Sequence, residues 1–239
     1  MERFWEIDFT RGIALIMMLV SNFVTDLQFF NNYAGLAEFW WWLARITAFL
    51  FVFLVGISLN ISYANAKKEG KANFSKFLKR GLFIFGLGLL ITVITYFTIP
   101  QAYIRFGVLH LIGLSIILAY PFLKLKQGVS LWSGISLIVI GLLLSAIAVN
   151  TSAFLLIGLT PAGFASVDYF PLLPWFGVVL LGLYFGKALY KEGNRSFKLN
   201  TSISKLNPIC FLGRNTLWIY LIHQPIFIAI LYLLGVKLF

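Results

Sequence analysis

The chain has 239 residues, of which 60% are hydrophobic and only 11% are charged, and its mean hydropathy is +0.91. These values exclude an ordinary soluble domain and indicate an integral membrane protein. The formal net charge is +11, but the basic residues lie in the gaps between apolar segments, which argues against nucleic acid as a partner.

Apolar runs of about 20 residues, the length that a helix needs to cross roughly 30 Å of hydrocarbon, follow one another along nearly the whole chain. We therefore predict an all-α fold, a polytopic transmembrane helix bundle that forms a single domain over residues 1–239. The part 151–170 has too short an apolar run to cross, so we expect an outer loop or a re-entrant piece there. The seven predicted spans are 12–30, 38–62, 78–99, 105–123, 129–149, 171–190 and 208–235.

Charge placement predicts how the spans are oriented. If the N-terminus is cytoplasmic, most of the Lys and Arg residues fall in cytoplasmic segments. The positive-inside rule then favours a cytoplasmic N-terminus and an outer C-terminus, with an odd number of spans. The same basic loops suit anionic lipid head groups. The first apolar run lacks the small-residue cleavage site of a signal peptide, and we expect a multi-pass protein of the plasma membrane.

Polar side chains in the first span lie on one side of the predicted helix. At 100° per residue, Asp8, Arg11, Asn22 and Asp26 share a stripe about 60° wide. Ionisable groups are costly in hydrocarbon and normally face a bundle interior or a wet cavity. We therefore predict that the first helix lines a polar site.

Few other strongly polar residues occur in the predicted spans. Arg45 lies in the second span, and Arg105 and His110 lie at the start of the fourth. Several of these residues also have a purely structural interpretation. A histidine can join two helices, Arg45 can pair with Asp26, and Arg214 of the last span can extend its charge to the membrane surface. The last span carries Arg214, Asn215, Thr216, Tyr220, His223 and Gln224.

Carboxylates, guanidinium groups and imidazoles together support a limited chemistry. An imidazole or a carboxylate can act as a general base, while amide and guanidinium groups can stabilise an oxyanion, which suits acyl transfer. Arginines on the cytoplasmic side suit the phosphates of coenzyme A. A proton-coupled transporter would use the same residue types. The pattern contains no metal-ligand signature, and we expect Cys210 to be a packed core thiol.

Blocks of sequence along nearly the whole chain resemble the heparan-α-glucosaminide N-acetyltransferase-like family. The resemblance implies a polytopic acyltransferase that takes an acetyl group from cytoplasmic acetyl-CoA and passes it to an amine or hydroxyl, often of a sugar. It also implies that Asp8, Arg11 and Asn22 match first-helix residues of the family, with the asparagine assisting catalysis. The blocks are 6–18, 53–59, 105–113, 174–182 and 212–225.

The chain departs from the family pattern at one place. The family's acetyltransferases carry a catalytic histidine shortly after the first helix, whereas residues 29–34 contain none. Three alternatives follow from this departure: His110 or His223 supplies the base, the transfer is direct without an acyl-histidine intermediate, or the activity has changed.

We therefore predict a membrane-embedded acyltransferase that moves an acyl group, preferably acetyl, from cytoplasmic acyl-CoA to an amine or hydroxyl of a sugar- or lipid-type acceptor, without a metal. The expected partners are membrane lipids, the acyl-CoA and a small-molecule or glycan acceptor, and a homodimer is left open. The alternatives are a transporter or a lipid- or anion-binding protein with the same polar cavity, and a small structural protein. The catalytic candidates are Asn22, Asp26, His110 and His223, and the substrate-binding candidates are Asp8, Arg11, Arg45, Arg105, Arg214 and Asn215.

Overall fold

The computed structural model describes residues 4–31, 35–199 and 207–236. The apolar stretches form helices, because a helix satisfies its own backbone polar groups where water is absent. The remaining regular structure is a short 3₁₀ helix at Ser152–Ile157 and two pairs of two-residue strands, β1 (Ala148–Val149) with β2 (Thr160–Pro161) and β3 (Tyr190–Lys191) with β4 (Asn194–Arg195). The helices are α1 (Trp5–Asn31), α2 (Ala37–Lys68), α3 (Phe74–Thr98), α4 (Val108–Leu118), α5 (Tyr120–Lys124), α6 (Gln127–Leu144), α7 (Leu172–Leu189), α8 (Pro208–Arg214) and α9 (Thr216–Leu233).

Within the described residues, six helices are long and apolar enough to cross a membrane, namely α1, α2, α3, α6, α7 and α9. The predicted fold class, an all-α polytopic bundle, is confirmed. The fourth predicted span is divided, because α4 ends at Leu118 and α5 begins at Tyr120 with a proline in its first turn. Ala119 between them keeps right-handed helical angles (φ −74°, ψ −14°). The run from Val108 to Lys124 therefore reaches about 25 Å in helical geometry.

The chain divides into two compact units, and the boundary falls inside α2. The first unit comprises residues 1–51 and 199–239, and the second comprises residues 52–198. In the first unit, the start of α1 packs against α8 at two glycines. A Cβ atom on Gly213 would overlap the carbonyl oxygen of Asp8, and one on Gly12 would overlap that of Ile209. The two backbones therefore touch directly, as small residues permit between helices in lipid.

The last helix, α9, runs in the same direction as α1. Arg11 reaches the carbonyl of Gly213 just before α9 begins, and the ring centroids of Phe23 and Phe227 lie 5.2 Å apart much farther along both helices. Two spans that run in the same direction require an odd number of crossings from the first to the last. Among the described residues, six helices are long enough to be candidate spans and Val108–Leu118 is a shorter apolar helix, so the α4–α5 segment is the candidate for the seventh crossing that the sequence predicts.

The second unit is held together by close helix contacts at glycine pairs. Gly81 of α3 faces Gly113 of α4, and Gly134 of α6 faces Gly177 of α7. A Cβ atom on any of these four residues would lie within 2.9 Å of the carbonyl oxygen of its partner. Because lipid offers no hydrophobic driving force between helices, such close packing supplies much of their attraction.

Two loops at one end of the second unit lie side by side, and we call residues 102–106 and 164–170 the paired loops. The amide of Val167 donates to the carbonyl of Ala102 at 2.9 Å, and the amide of Phe170 donates to the carbonyl of Phe106 at 2.8 Å. The Tyr169 hydroxyl donates to the carbonyl of Leu155 at 2.7 Å, and burial raises the pKa of Tyr169 to about 12. The expected loop after α6 is therefore an ordered structure.

Candidate functional site

The polar stripe of α1 faces α8 and α9 in the first unit, and its central contact joins Asn22 to His223. The Nδ2 atom of Asn22 lies 3.0 Å from Nε2 of His223. His223 is only 7% exposed, and Nδ1 on the other side of its ring lies 2.5 Å from the carbonyl oxygen of Tyr220 in the preceding turn of α9. One ring nitrogen therefore faces a side-chain amide nitrogen, which donates a hydrogen bond, and the other faces a backbone carbonyl oxygen, which accepts one.

These two contacts fix where the proton of a neutral His223 ring resides. A backbone carbonyl can only accept a hydrogen bond, so Nδ1 carries the hydrogen and donates it to Tyr220. Nε2 then bears a lone pair, and the Asn22 amide donates to it. A buried imidazole with Nδ1 bound and a lone pair on Nε2 is arranged as a base or a nucleophile.

A second contact lies one helical turn farther along α1. The Gln224 amide nitrogen donates to both carboxylate oxygens of Asp26, at 2.8 and 2.9 Å, and Asp26 is only 8% exposed. Asp26 therefore has an amide partner from α9, whereas the sequence offered Arg45 as one alternative structural partner. The Asn22–His223 and Asp26–Gln224 contacts form two adjacent polar bridges between α1 and α9.

The first two residues of the stripe, Asp8 and Arg11, meet the junction of α8 and α9. Arg11 contacts the Asp8 carboxylate at 3.3 Å and the Gly213 carbonyl at 3.5 Å, with a quarter of its side chain exposed. The Thr216 hydroxyl donates to the same carbonyl at 2.9 Å. The last turn of a helix leaves carbonyl groups without intrahelical donors, so Arg11 and Thr216 serve the end of α8.

The other predicted binding residues of the first unit lie at its surface or bind locally. The Asn215 amide donates to the carbonyl of Phe211 at 2.9 Å, and Arg214 is exposed in the last turn of α8. The guanidinium of Arg45 is exposed and lies 5.0 Å from the ring centroid of Trp41 one turn earlier. The ring thus provides a cation–aromatic contact for the exposed charge.

The second histidine, His110, lies in the other unit and is 2% exposed. The Gly107 amide donates to its Nδ1 at 3.2 Å, so Nδ1 is the acceptor and Nε2 carries the hydrogen, with the Thr92 hydroxyl 3.4 Å away. The ring packs between Phe85 and Phe106. His110 therefore satisfies the first turn of α4, and its acceptor nitrogen is bound by a backbone amide, which cannot turn away as a side-chain amide can.

Three further expectations concern Arg105, Cys210 and the residues after α1. Arg105 lies in the paired loops of the second unit, next to the start of α4. Cys210 is 2% exposed, with its sulfur 3.7 Å from the carbonyl of Trp5, and burial raises the pKa of its thiol. Asn31 ends α1, and residues 32–34 of the predicted departure lie outside the described part of the chain.

No group of three or more His, Cys, Asp or Glu side chains that could hold a metal ion occurs in the described ranges. Gln224 and Tyr220 are not among the site residues predicted from the sequence, although both bind the site directly. Their signal was position: Gln224 follows His223, and Tyr220 precedes it by three residues on the same helix face. Taken together, α1 and α9 bring a buried imidazole, an amide and a carboxylate into contact inside one unit.

Comparison with known proteins identifies the family of the chain. The family described as heparan-alpha-glucosaminide N-acetyltransferase, catalytic, matches residues 3–225. No curated protein and no solved structure matches the chain. Because the family match covers nearly the whole sequence, the chain belongs to this family of membrane acetyltransferases, and the resemblance seen in the sequence is confirmed.

Proposed function

From membership of that acetyltransferase family, we propose that the chain transfers an acyl group, preferably acetyl, from cytoplasmic acyl-CoA to an amine or hydroxyl of a sugar- or lipid-type acceptor. The proposal includes a plasma-membrane location and a cytoplasmic N-terminus. The observation that carries it is the Asn22–His223 contact, in which a buried imidazole presents a lone pair to a side-chain amide. Acyl transfer needs a base and an oxyanion donor, and this contact contains one of each.

His223 is the proposed base. Its Nε2 takes the proton from the attacking amine or hydroxyl while the acceptor atom forms a bond to the thioester carbonyl carbon. The carbon–sulfur bond then breaks, and the imidazolium returns the proton to the departing CoA thiolate. The hydrogen bond from Nδ1 to the Tyr220 carbonyl keeps the ring oriented and stabilises the imidazolium.

Asn22 is the proposed oxyanion donor. Its amide hydrogen, which binds His223 Nε2 at 3.0 Å, can turn to the thioester oxygen as that oxygen becomes negative. An amide donor carries no charge of its own, so it costs less to bury in a membrane than a lysine or arginine would. This role explains why an amide on α1 should face a histidine on α9.

Asp26 and Gln224 are proposed as positioning residues. The two hydrogen bonds between them join α1 to α9 next to the Asn22–His223 contact and fix the register of the two helices. Replacing Gln224 by leucine should lower kcat by up to about 10²-fold with little change in KM, since an error of about 1 Å in geometry can cost that much. In Gln224→Glu, a pH that protonates either the introduced carboxyl group or Asp26 allows a hydrogen bond between the two carboxyl groups and should recover part of the rate. An equal loss of kcat in Gln224→Leu and Gln224→Glu would contradict a positioning role.

Arg11 is proposed to bind a phosphate of the acyl-CoA. It lies about 16 Å along α1 from Asn22, which suits a long donor with charged phosphates at one end and a thioester at the other. A quarter of the Arg11 side chain is exposed, and its guanidinium contacts the Asp8 carboxylate at 3.3 Å. A guanidinium fork matches phosphate geometry better than an ammonium group does.

The test of donor use is a thermal-shift titration of the detergent-purified protein with acetyl-CoA, with CoA and acetate as separate controls. We expect the melting temperature to rise with acetyl-CoA concentration, and the rise to shrink in Arg11→Gln. The matched control is Arg45→Gln, which removes an exposed arginine stacked on an aromatic ring and should keep the full response. No stabilisation by any acyl-CoA, together with movement of an anion in proteoliposomes, would favour a transporter instead.

A further inference from the structure

One arginine of the second unit lies in an aromatic clamp that the proposed reaction does not use. The guanidinium carbon of Arg105 lies 4.9 Å from the ring centroid of Tyr103 and 5.1 Å from that of Phe164. All three residues belong to the paired loops or adjoin them, and backbone hydrogen bonds hold these loops together. We call Arg105, Tyr103 and Phe164 the Arg105 clamp.

The guanidinium of Arg105 has no acidic or carbonyl partner in the described part of the chain. Its Nε atom is buried and makes no hydrogen bond. The carboxylate of Asp168, in the neighbouring loop, accepts a hydrogen bond from the Val108 amide at 3.0 Å and so serves the start of α4. A buried donor without a partner costs free energy, so an arginine kept in this state indicates a ligand.

The position of Arg105 differs from that of every other basic residue in the second unit. Arg105 follows the end of α3, whereas the others lie within the two helical turns nearest the opposite helix ends or beyond those ends. A generic attraction of basic loops to phospholipid therefore does not explain it. The others are Lys67, Lys68, Lys71, Lys76, Lys79, Arg80, Lys124, Lys126, Lys187, Lys191, Arg195 and Lys198.

The clamp also restricts how a ligand could approach. Two aromatic rings close to the guanidinium carbon offer no hydrogen-bond acceptor in the plane of the group, and each edge of a guanidinium presents two parallel N–H groups. That fork matches the spacing of two oxygens on a phosphate or a carboxylate. An apolar or cationic ligand would gain nothing from it.

We propose that the Arg105 clamp binds an oxyanion, a phosphate or a carboxylate, that belongs either to a lipid head group or to a soluble anion. This site goes beyond the proposed acyl transfer, and none of its residues belongs to the Asn22–His223 contact. Its failure would leave that proposal standing.

The test compares the melting temperature of the full chain in nanodiscs of phosphatidylcholine alone, of phosphatidylcholine with phosphatidylglycerol, and of phosphatidylcholine with added sodium phosphate or sodium glucuronate. For a soluble anion at ten times its Kd, we expect a rise of about 3–6 °C. In the condition that supplies the natural anion, the melting temperature of Arg105→Gln should no longer rise. Lys124→Gln, which removes a cation 4.5 Å from the Tyr120 ring, is the matched control and should keep it.

The arms distinguish the source of the oxyanion. Loss of the rise only with phosphatidylglycerol identifies a lipid head group, and loss only with phosphate or glucuronate identifies a soluble anion. Arg105→Lys keeps the charge but not the fork, and it should also lose most of the rise, which provides a second test if Arg105→Gln does not fold. Equal responses of wild type and both Arg105 variants in every arm, or no response of the wild type, would overturn the proposal.

Discussion

Replacing His223 by glutamine should abolish most of the acyl transfer while leaving the protein folded. The substitution removes the Nε2 lone pair that Asn22 faces and the Nδ1 donor that Tyr220 accepts. Loss of a general base typically costs 10²- to 10⁴-fold in rate, or about 3–5 kcal/mol of transition-state stabilisation. The two lost hydrogen bonds are each worth about 0.5–1.5 kcal/mol of net stability, so the melting temperature should fall by only a few degrees.

His110→Gln is the matched control, because it removes the other histidine of the chain. Here the expected cost is to stability: the Gly107 amide loses its acceptor, and the space between Phe85 and Phe106 is refilled by a smaller side chain. Leaving a buried donor without a partner costs about 1–3 kcal/mol. The rate per folded molecule should stay close to that of the wild type.

The assay is the initial rate of thiol release from acetyl-CoA with glucosamine as the acceptor probe, measured beside the melting temperature of the same preparations. The account predicts a slow, stable His223→Gln and an active, less stable His110→Gln. A His223→Gln protein with wild-type rate would refute the role of His223. The reverse pattern, with activity lost only in His110→Gln, would refute the assignment of protons to the two rings.

Three further predictions concern packing, thiol reactivity and topology. Gly213→Ala should lower the melting temperature by several degrees, because its Cβ atom would overlap the α1 backbone, whereas Gly86→Ala, with open space around it, should be neutral or stabilising; equal effects would contradict direct contact of α1 with α8. Since burial raises the pKa of Cys210, its thiolate fraction at pH 8 is below that of an ordinary cysteine, and maleimide labelling should stay slow until the pH rises further or the protein unfolds; rapid labelling at pH 8 would show an accessible thiol. Because α1 and α9 run in the same direction, cysteines introduced at Leu36 and Val236 in a Cys210→Ser background should react with an impermeant reagent from the same side of the membrane, and labelling from opposite sides would contradict an odd number of crossings.

Much of the fold could be predicted from the sequence because lipid allows few solutions. Apolar runs had to become helices, and the predicted span 171–190 differs from α7 (Leu172–Leu189) by one residue at each end. The fourth span was less accurate, because Pro121 divides it into α4 and α5 and apolar composition alone does not mark that division. The odd number of spans predicted from charge placement already makes α9 run in the same direction as α1, and contacts between residues about 200 positions apart in sequence agree with it.

The candidate site, too, could be predicted only in part from the sequence. The 100° periodicity correctly grouped four polar residues of α1 on one face, and that face meets α8 and α9. Periodicity within one helix does not identify partners on another, so Gln224 as the partner of Asp26 was outside its reach. The two histidines looked equivalent in the sequence, and only the acceptors and donors around each ring separate them. His110 is the third residue of α4, three positions after Gly107. A polar side chain at this position can bind the backbone amide of the N-cap residue, so the sequence does contain a signal for the capping role of His110.

The measurement that most directly tests the central claim follows an isotope-labelled acetyl group from acetyl-CoA in the presence of the purified protein in nanodiscs and a panel of amino sugars and lipid-linked sugars. Mass spectrometry reports where the label goes. The account predicts labelled acetyl on at least one acceptor with the wild type, and a loss of at least 100-fold in that product with His223→Gln, as expected for removal of a general base. Acetyl-CoA that stays intact with every acceptor, or a product formed equally by the variant, would contradict acyl transfer at the Asn22–His223 contact.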